Sequence, residues 1–135
     1  MTTAGSQPVA SLVSDAPATI EADASLYAVA RAMADADVGL LIVGDGERPR
    51  GVVSERDVVR ALAAARAPGS TTATDIAQSD LVWCDATATV AEVAAEMMVR
   101  YVRHVLVEED GRLLGVVSAR DLLGVYAAAD LQDDP

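Results

Sequence analysis

Gly51-Val52-Val53-Ser54-Glu55-Arg56-Asp57 decides the fold, because it returns 64 positions later as Gly115-Val116-Val117-Ser118-Ala119-Arg120-Asp121. In both copies a short β-branched run after glycine suits a buried strand. Serine is a preferred helix N-cap, and an acid three residues on complements the helix start ahead of residues with helical apolar spacing. The stretch is therefore a strand running into a helix. Backbone N–H groups and the positive end of the helix dipole gather at such a start. Arg56 and Arg120 add guanidinium donors there, so each copy is a candidate anion site.

Working outward, residues 20 to 62 align with 84 to 126 without a gap, and 14 of the 43 pairs are identical. Val29 matches Val93, Met33 matches Met97 and Val38 matches Val102, so the buried pattern repeats along with the motif. In the first half Ala18-Thr19-Ile20 reads as a brief strand. Asp23 or Ser25 then caps a helix with Leu26, Val29, Ala30 and Met33 on one face, which Asp35 to Asp37 end. Gly39 to Val43 reads as a strand and Asp45-Gly46 as a turn. The helix after Ser54 runs through Val58, Val59, Leu62 and Ala63 and stops before Pro68-Gly69. In the second half a short segment around Asp75-Ile76 precedes a strand from Leu81 to Cys84. A helix opened by Thr89 follows, with Val93, Met97 and Tyr101 on its buried face. Strands from His104 to Val107 and from Leu113 to Val117 flank a turn at Asp110-Gly111, and the last helix carries Leu122, Leu123, Val125 and Tyr126.

The expected division is a loose arm over residues 1–8, a first repeat over 9–68, a linker over 69–72, a second repeat over 73–128 and a frayed acidic tail over 129–135. Each repeat has the order β-α-β-β-α, which makes the fold class α/β (α+β). A unit of roughly 60 residues is marginal alone, so the two tandem repeats are expected to bury surface against each other with pseudo-two-fold symmetry.

Composition narrows the function. The net charge is -11, and all ten basic residues are arginine. Duplex nucleic acid and anionic membranes both need a positive face, so neither is an expected partner; one small phosphate compound held locally is compatible. The lone cysteine, Cys84, cannot form an internal disulfide and fits a reducing compartment. No apolar run approaches the roughly 20 residues that span a bilayer. The start, Met1-Thr2-Thr3-Ala4-Gly5-Ser6, lacks the regions of a signal peptide. A cytoplasmic protein is expected. Most of the bulky residues, Trp83 and the methionines, read as core.

The motif in both halves, the run Val102-Arg103-His104-Val105-Leu106-Val107 and the element order resemble the tandem cystathionine-β-synthase (CBS) domain pair, or Bateman module, of the stand-alone bacterial and archaeal type. The resemblance covers about Val9 to Tyr126. It implies a non-catalytic regulatory module that binds an adenosyl ligand (AMP, ADP, ATP, S-adenosylmethionine or NAD) in a cleft between repeats, commonly as a homodimer, and signals to a regulated partner by conformational change. It implies that Asp57 and Asp121 accept from ribose hydroxyls and that Ser54 and Ser118 contact ribose or phosphate. A carboxylate accepting from vicinal hydroxyls while N–H groups and the guanidinium of Arg56 or Arg120 take the phosphate is sound chemistry. Adenine is expected beside Thr19, Ile20, Leu40 and Leu41, or beside Trp83, Cys84, His104 and Val105. Gly39 and Leu40 stand where the second half has Arg103 and His104, so phosphate is expected at the latter pair.

Plainer roles stand beside these. Ser54 with Asp57 and Ser118 with Asp121 are also helix caps worth about 1 kcal/mol each. Exposed arginines usually contribute little. Cys84 reads as a small buried side chain rather than a redox switch. The competing function is a structural dimerisation module with non-functional nucleotide clefts. An enzyme is not expected: there is no nucleophile–histidine spacing, no P-loop lysine and no cluster of metal ligands.

Overall fold

The computed structural model describes residues 4–13, 17–45 and 49–133, with the side chains of 131–133 left aside. The chain divides into two compact units: Pro17–Leu81, and the residues from Val82 onward together with the N-terminal segment. The first unit contains β1 (Thr19–Ile20), α1 (Leu26–Ala36), β2 (Leu40–Gly44), β3 (Pro49–Ser54), α2 (Glu55–Ala63) and the short α3 (Ala73–Ile76). The second contains two 3-10 turns (Ala4–Ser6 and Val9–Leu12), β4 (Trp83–Asp85), α4 (Val90–Arg100), β5 (His104–Glu109), β6 (Arg112–Ser118) and α5 (Ala119–Asp133).

Each unit has a three-stranded sheet, ordered β1-β2-β3 or β4-β5-β6. The first pair of strands is parallel, so a helix must carry the chain back between them, and α1 and α4 do so. The second pair is antiparallel and needs only a turn. In the second unit that turn puts Asp110 and Gly111 at positive φ. In the first, the expected turn begins at Asp45, and Gly46 lies outside the described residues. Ser25 caps α1 by accepting from the Ala28 N–H, and Thr89 caps α4 by accepting from the Glu92 N–H. Both helices end on a left-handed residue, Asp37 or Tyr101. Beyond that cap the Val38 and Val102 N–H groups return to the carbonyls of Met33 and Met97.

The cores match pair by pair at the 64-residue displacement. Leu26, Val29, Met33, Leu41, Val43, Val53 and Val58 are buried in one; Val90, Val93, Met97, Val105, Val107, Val117 and Leu122 are buried in the other. Leu41 and Val43 share a face because side chains alternate along a strand.

One pair crosses over. Val9, fully buried, belongs to the core of the second unit, and its counterpart Ala73 belongs to that of the first. The same backbone bonds dock both segments: the Val9 N–H donates to the Ala88 carbonyl at 2.8 Å and the Ala73 N–H to the Ala24 carbonyl at 2.8 Å. The units thus differ from the sequential ranges 9–68 and 73–128, because each repeat's leading segment completes the core formed by the other repeat's strands and helices. Within 69–72, Thr71 is buried and its carbonyl accepts from the Leu26 N–H at 2.7 Å.

The expected burial of three residues needs correction. Trp83 is 38% exposed, Met98 78% and Tyr101 94%, whereas Met33 and Met97 are core. Tyr101 faces out because it is the left-handed cap of α4 rather than part of its apolar stripe. Ala4–Ser6 forms a 3-10 turn packed against α4 and α5, and α5 stays helical through Asp133. Residues 1–3 of the expected arm and 134–135 of the expected tail lie outside the described residues.

Candidate functional site

Ser54 ends β3 and opens α2; Ser118 ends β6 and opens α5. The serine–aspartate spacing folds both junctions alike. The Ser54 N–H donates to Asp57 Oδ2 at 2.8 Å, and the Asp57 N–H donates to Ser54 Oγ at 3.2 Å. In the second unit the Ser118 N–H donates to Asp121 Oδ2 at 2.9 Å and the Asp121 N–H to Ser118 Oγ at 3.1 Å. Capping therefore uses one carboxylate oxygen and leaves Oδ1 for other work.

There the two units part. Asp57 is buried, 7% exposed, and its Oδ1 accepts from the side-chain amide of Gln78 at 3.0 Å. Asp121 is exposed, and among the described residues its Oδ1 takes no hydrogen bond. The sequence reading missed Gln78: it lies outside the motif, in a segment without periodicity, 21 residues from Asp57.

Charge diverges too. Leu40 pairs with Ser54, and His104 with Ser118. Just before them, the Gly39 carbonyl accepts from the Glu55 N–H at 3.0 Å, and the Arg103 carbonyl accepts from the Ala119 N–H at 2.8 Å. The first helix start thus carries Glu55, Arg56 and Asp57, with Glu55 folded over Gly39. The second has Arg103, Arg120 and Asp121 around half-buried His104. The balance is one net negative charge in the first and one net positive in the second. Burial lowers the His104 pKa below its ordinary 6.5, Asp121 opposes that and Arg103 adds to it. The substitution of Ala119 for Glu55 is legible in the motif itself.

The remaining candidates are spread over the sheets. Leu41 and Val105 are core residues. Thr19 is exposed and Ile20 half-buried on β1; Thr19 pairs with Ile42, two residues and about 7 Å along β2 from Leu40. Trp83 likewise pairs with Leu106, two residues from His104. Cys84 is half-buried, and burial first, then Asp85 and Glu108, push its thiol up to about 11. The geometry therefore brings Ser118, Asp121, Arg103 and His104 together, with Arg120 exposed on the same first turn. Leu40, Ser54, Asp57 and Arg56 group in the same way. Among the described residues no group of His, Cys, Asp or Glu is placed to hold a metal ion, and no helix is long and apolar enough to cross a membrane.

Comparison with known proteins gives a consistent result. The CBS domain family matches twice, over residues 9–64 and 73–128. Hypoxic response protein 1 of Mycobacterium tuberculosis is 36% identical over 100 residues, covering 73% of this chain and 70% of that one. A CBS domain protein of Pyrobaculum aerophilum, solved in complex with AMP, superposes with a TM-score of 0.77 at 32% identity, covering 90% of this chain and 99% of that one. A protein with CBS domains from Burkholderia ambifaria, described as a putative signal-transduction protein, superposes with a TM-score of 0.81 at 26% identity, covering 90% and 95%.

Proposed function

The chain belongs to the CBS domain family, with two copies in tandem, and from that premise we propose that it is a regulatory module that binds an adenosyl ligand at the start of α5. Asp121 Oδ1 accepts from the ribose hydroxyls. Arg120 and Arg103, at the positive end of the helix dipole, hold the phosphate of a nucleotide. The observation that carries this reading is the carboxylate oxygen of Asp121 that takes no hydrogen bond among the described residues, beside a net positive cluster. The Pyrobaculum relative's AMP makes AMP the first candidate among AMP, ADP, ATP, S-adenosylmethionine and NAD. Ligand favours one arrangement of the module, and a regulated partner reads that arrangement through its differential affinity. The protein acts as a homodimer and performs no catalytic step.

The test is a thermal-shift panel with those five compounds followed by titration calorimetry. A ligand that binds only the folded state raises the melting temperature. Saturable binding of AMP or another member, lost in Asp121→Ala and Arg120→Ala with the fold intact, is the expected result; wild-type affinity in both variants overturns it. The second reading, a structural dimerisation module with closed sites, is favoured at the first repeat by the engagement of Asp57 with Gln78. No shift with any of the five compounds would extend it to the whole chain.

A further inference from the structure

We infer that Gln78 is a built-in occupant of the first repeat's ligand carboxylate, so that the chain takes adenosyl ligand at one of its two repeats. The inference rests on the proposed reading that Asp121 takes ribose, and adds which site is closed and by what. Three observations carry it. The Gln78 amide donates to Asp57 Oδ1, the oxygen left over from capping, and so makes the kind of bond a ribose hydroxyl would make. Its backbone is fixed: the Gln78 N–H donates to the Val52 carbonyl at 2.8 Å and the Val52 N–H to the Gln78 carbonyl at 3.0 Å, adding a bridge to the edge of β3. The approach is also close. A Cβ on Gly51 would lie 2.8 Å from the Gln78 carbonyl oxygen, so glycine at 51 is what lets the strap lie down.

The second repeat cannot repeat this chemistry. At the 64-residue displacement the position of Gln78 is taken by Ser14, whose short side chain carries a hydroxyl instead of an amide on two methylenes; Ser14 lies outside the described residues. Glu55 reinforces the difference, since it adds an acid where a phosphate would have to sit, while Ala119 does not. A ligand entering the first site must break a hydrogen bond to a buried carboxylate and tolerate Glu55; among the described residues, one entering the second meets neither obstacle.

The decisive measurement is the stoichiometry of AMP binding by calorimetry on the full chain. Wild type is expected to take one equivalent, which Asp121→Ala abolishes. Gln78→Ala, which keeps the backbone bridge to Val52, is expected to gain a second equivalent at least tenfold weaker, lost again in Gln78→Ala/Asp57→Ala. One equivalent in both wild type and Gln78→Ala overturns the inference and leaves the proposed function standing, as do two equivalents in wild type. No binding by wild type or Gln78→Ala overturns the proposed function and this inference with it. An AMP titration of the wild type followed by amide NMR supplies a readout free of any variant. The Ser118 amide should shift while the Gln78 side-chain amide stays in place, and an equal shift of both would sink the inference.

Discussion

The Ala119 N–H donates to the Arg103 carbonyl at 2.8 Å, which fixes a guanidinium-bearing residue against the first turn of α5; the same bond in the other repeat joins Glu55 to Gly39. One backbone contact, conserved between the repeats, thus presents a base in one and an acid in the other. Ala119→Glu should therefore weaken AMP binding by about five- to tenfold, ~1 to 1.4 kcal/mol of repulsion near the phosphate. It should not destabilise the fold, because an acid in the first helical turn suits the dipole. Calorimetry and a melting curve on the same sample check this: affinity and stability should move in opposite directions or stability should not move. Parallel losses would show damage to the helix instead.

Val9 opens the first repeat in sequence, yet it is fully buried among Val82, Ala86, Val90 and Val93. Val9→Ala should cost about 2 kcal/mol in lost burial and residual cavity. Hydrogen exchange should place the loss: amides of α4 and β5 should exchange faster, while those of α1 and β2 hold. The reverse distribution would contradict the crossover of leading segments.

The two glycines Gly51 and Gly124 should respond oppositely to alanine. At Gly51 a Cβ meets a backbone oxygen that is itself held by Val52, so Gly51→Ala should cost about 1–3 kcal/mol. At Gly124, within α5, a Cβ meets nothing within 4 Å, and Gly124→Ala should stabilise by about 0.5–1 kcal/mol through helix propensity. Urea unfolding of both variants beside wild type measures the pair.

These cases show what was legible in the sequence. Periodicity identified the buried stripes Leu26, Val29, Met33 and Val93, Met97, and the serine–aspartate spacing identified both helix starts, because each depends on residues within one or two turns of each other. Periodicity says that a face is apolar without saying which segment covers it, so the exchange of Val9 and Ala73 was invisible. Gln78 was invisible for the same reason: a long-range amide–carboxylate bond leaves no local pattern. Tyr101 was misread because α4 ends on it in a left-handed turn, where a residue leaves the stripe it would otherwise continue; Met98 lies within α4, one residue round the helix from the buried stripe of Val90, Val93 and Met97. Trp83 was misjudged because size alone does not decide which face of a three-residue strand is covered.

Stability should fall as the solution is acidified through the range of His104. Its pKa is lowered in the folded state, by burial above all, with Asp121 and Arg103 as the charged neighbours. Well above 6.5 both states are neutral and the residue contributes no pH dependence. As pH drops below 6.5, the unfolded chain takes the proton first, so folding becomes less favourable until the folded pKa is also passed. Urea midpoints at pH 7.5 and 5.5 should therefore differ in wild type, and the difference should shrink in His104→Gln. An unchanged difference would assign the effect to other groups.

Cys84 should be a poor nucleophile. Burial, with Asp85 and Glu108 adding like-charge repulsion, raises its thiol from 9.0 to about 11. Only the thiolate reacts, so two units correspond to about a hundredfold less reactive form at pH 8 than in a free cysteine. Iodoacetamide labelling followed by mass spectrometry should be slower by about that factor in the folded protein, and unfolding in urea should restore the ordinary rate. Fast labelling of the folded chain would mean that Cys84 is neither shielded nor repelled. It would then return as a redox-sensitive group on β4, beside the strand that bears His104.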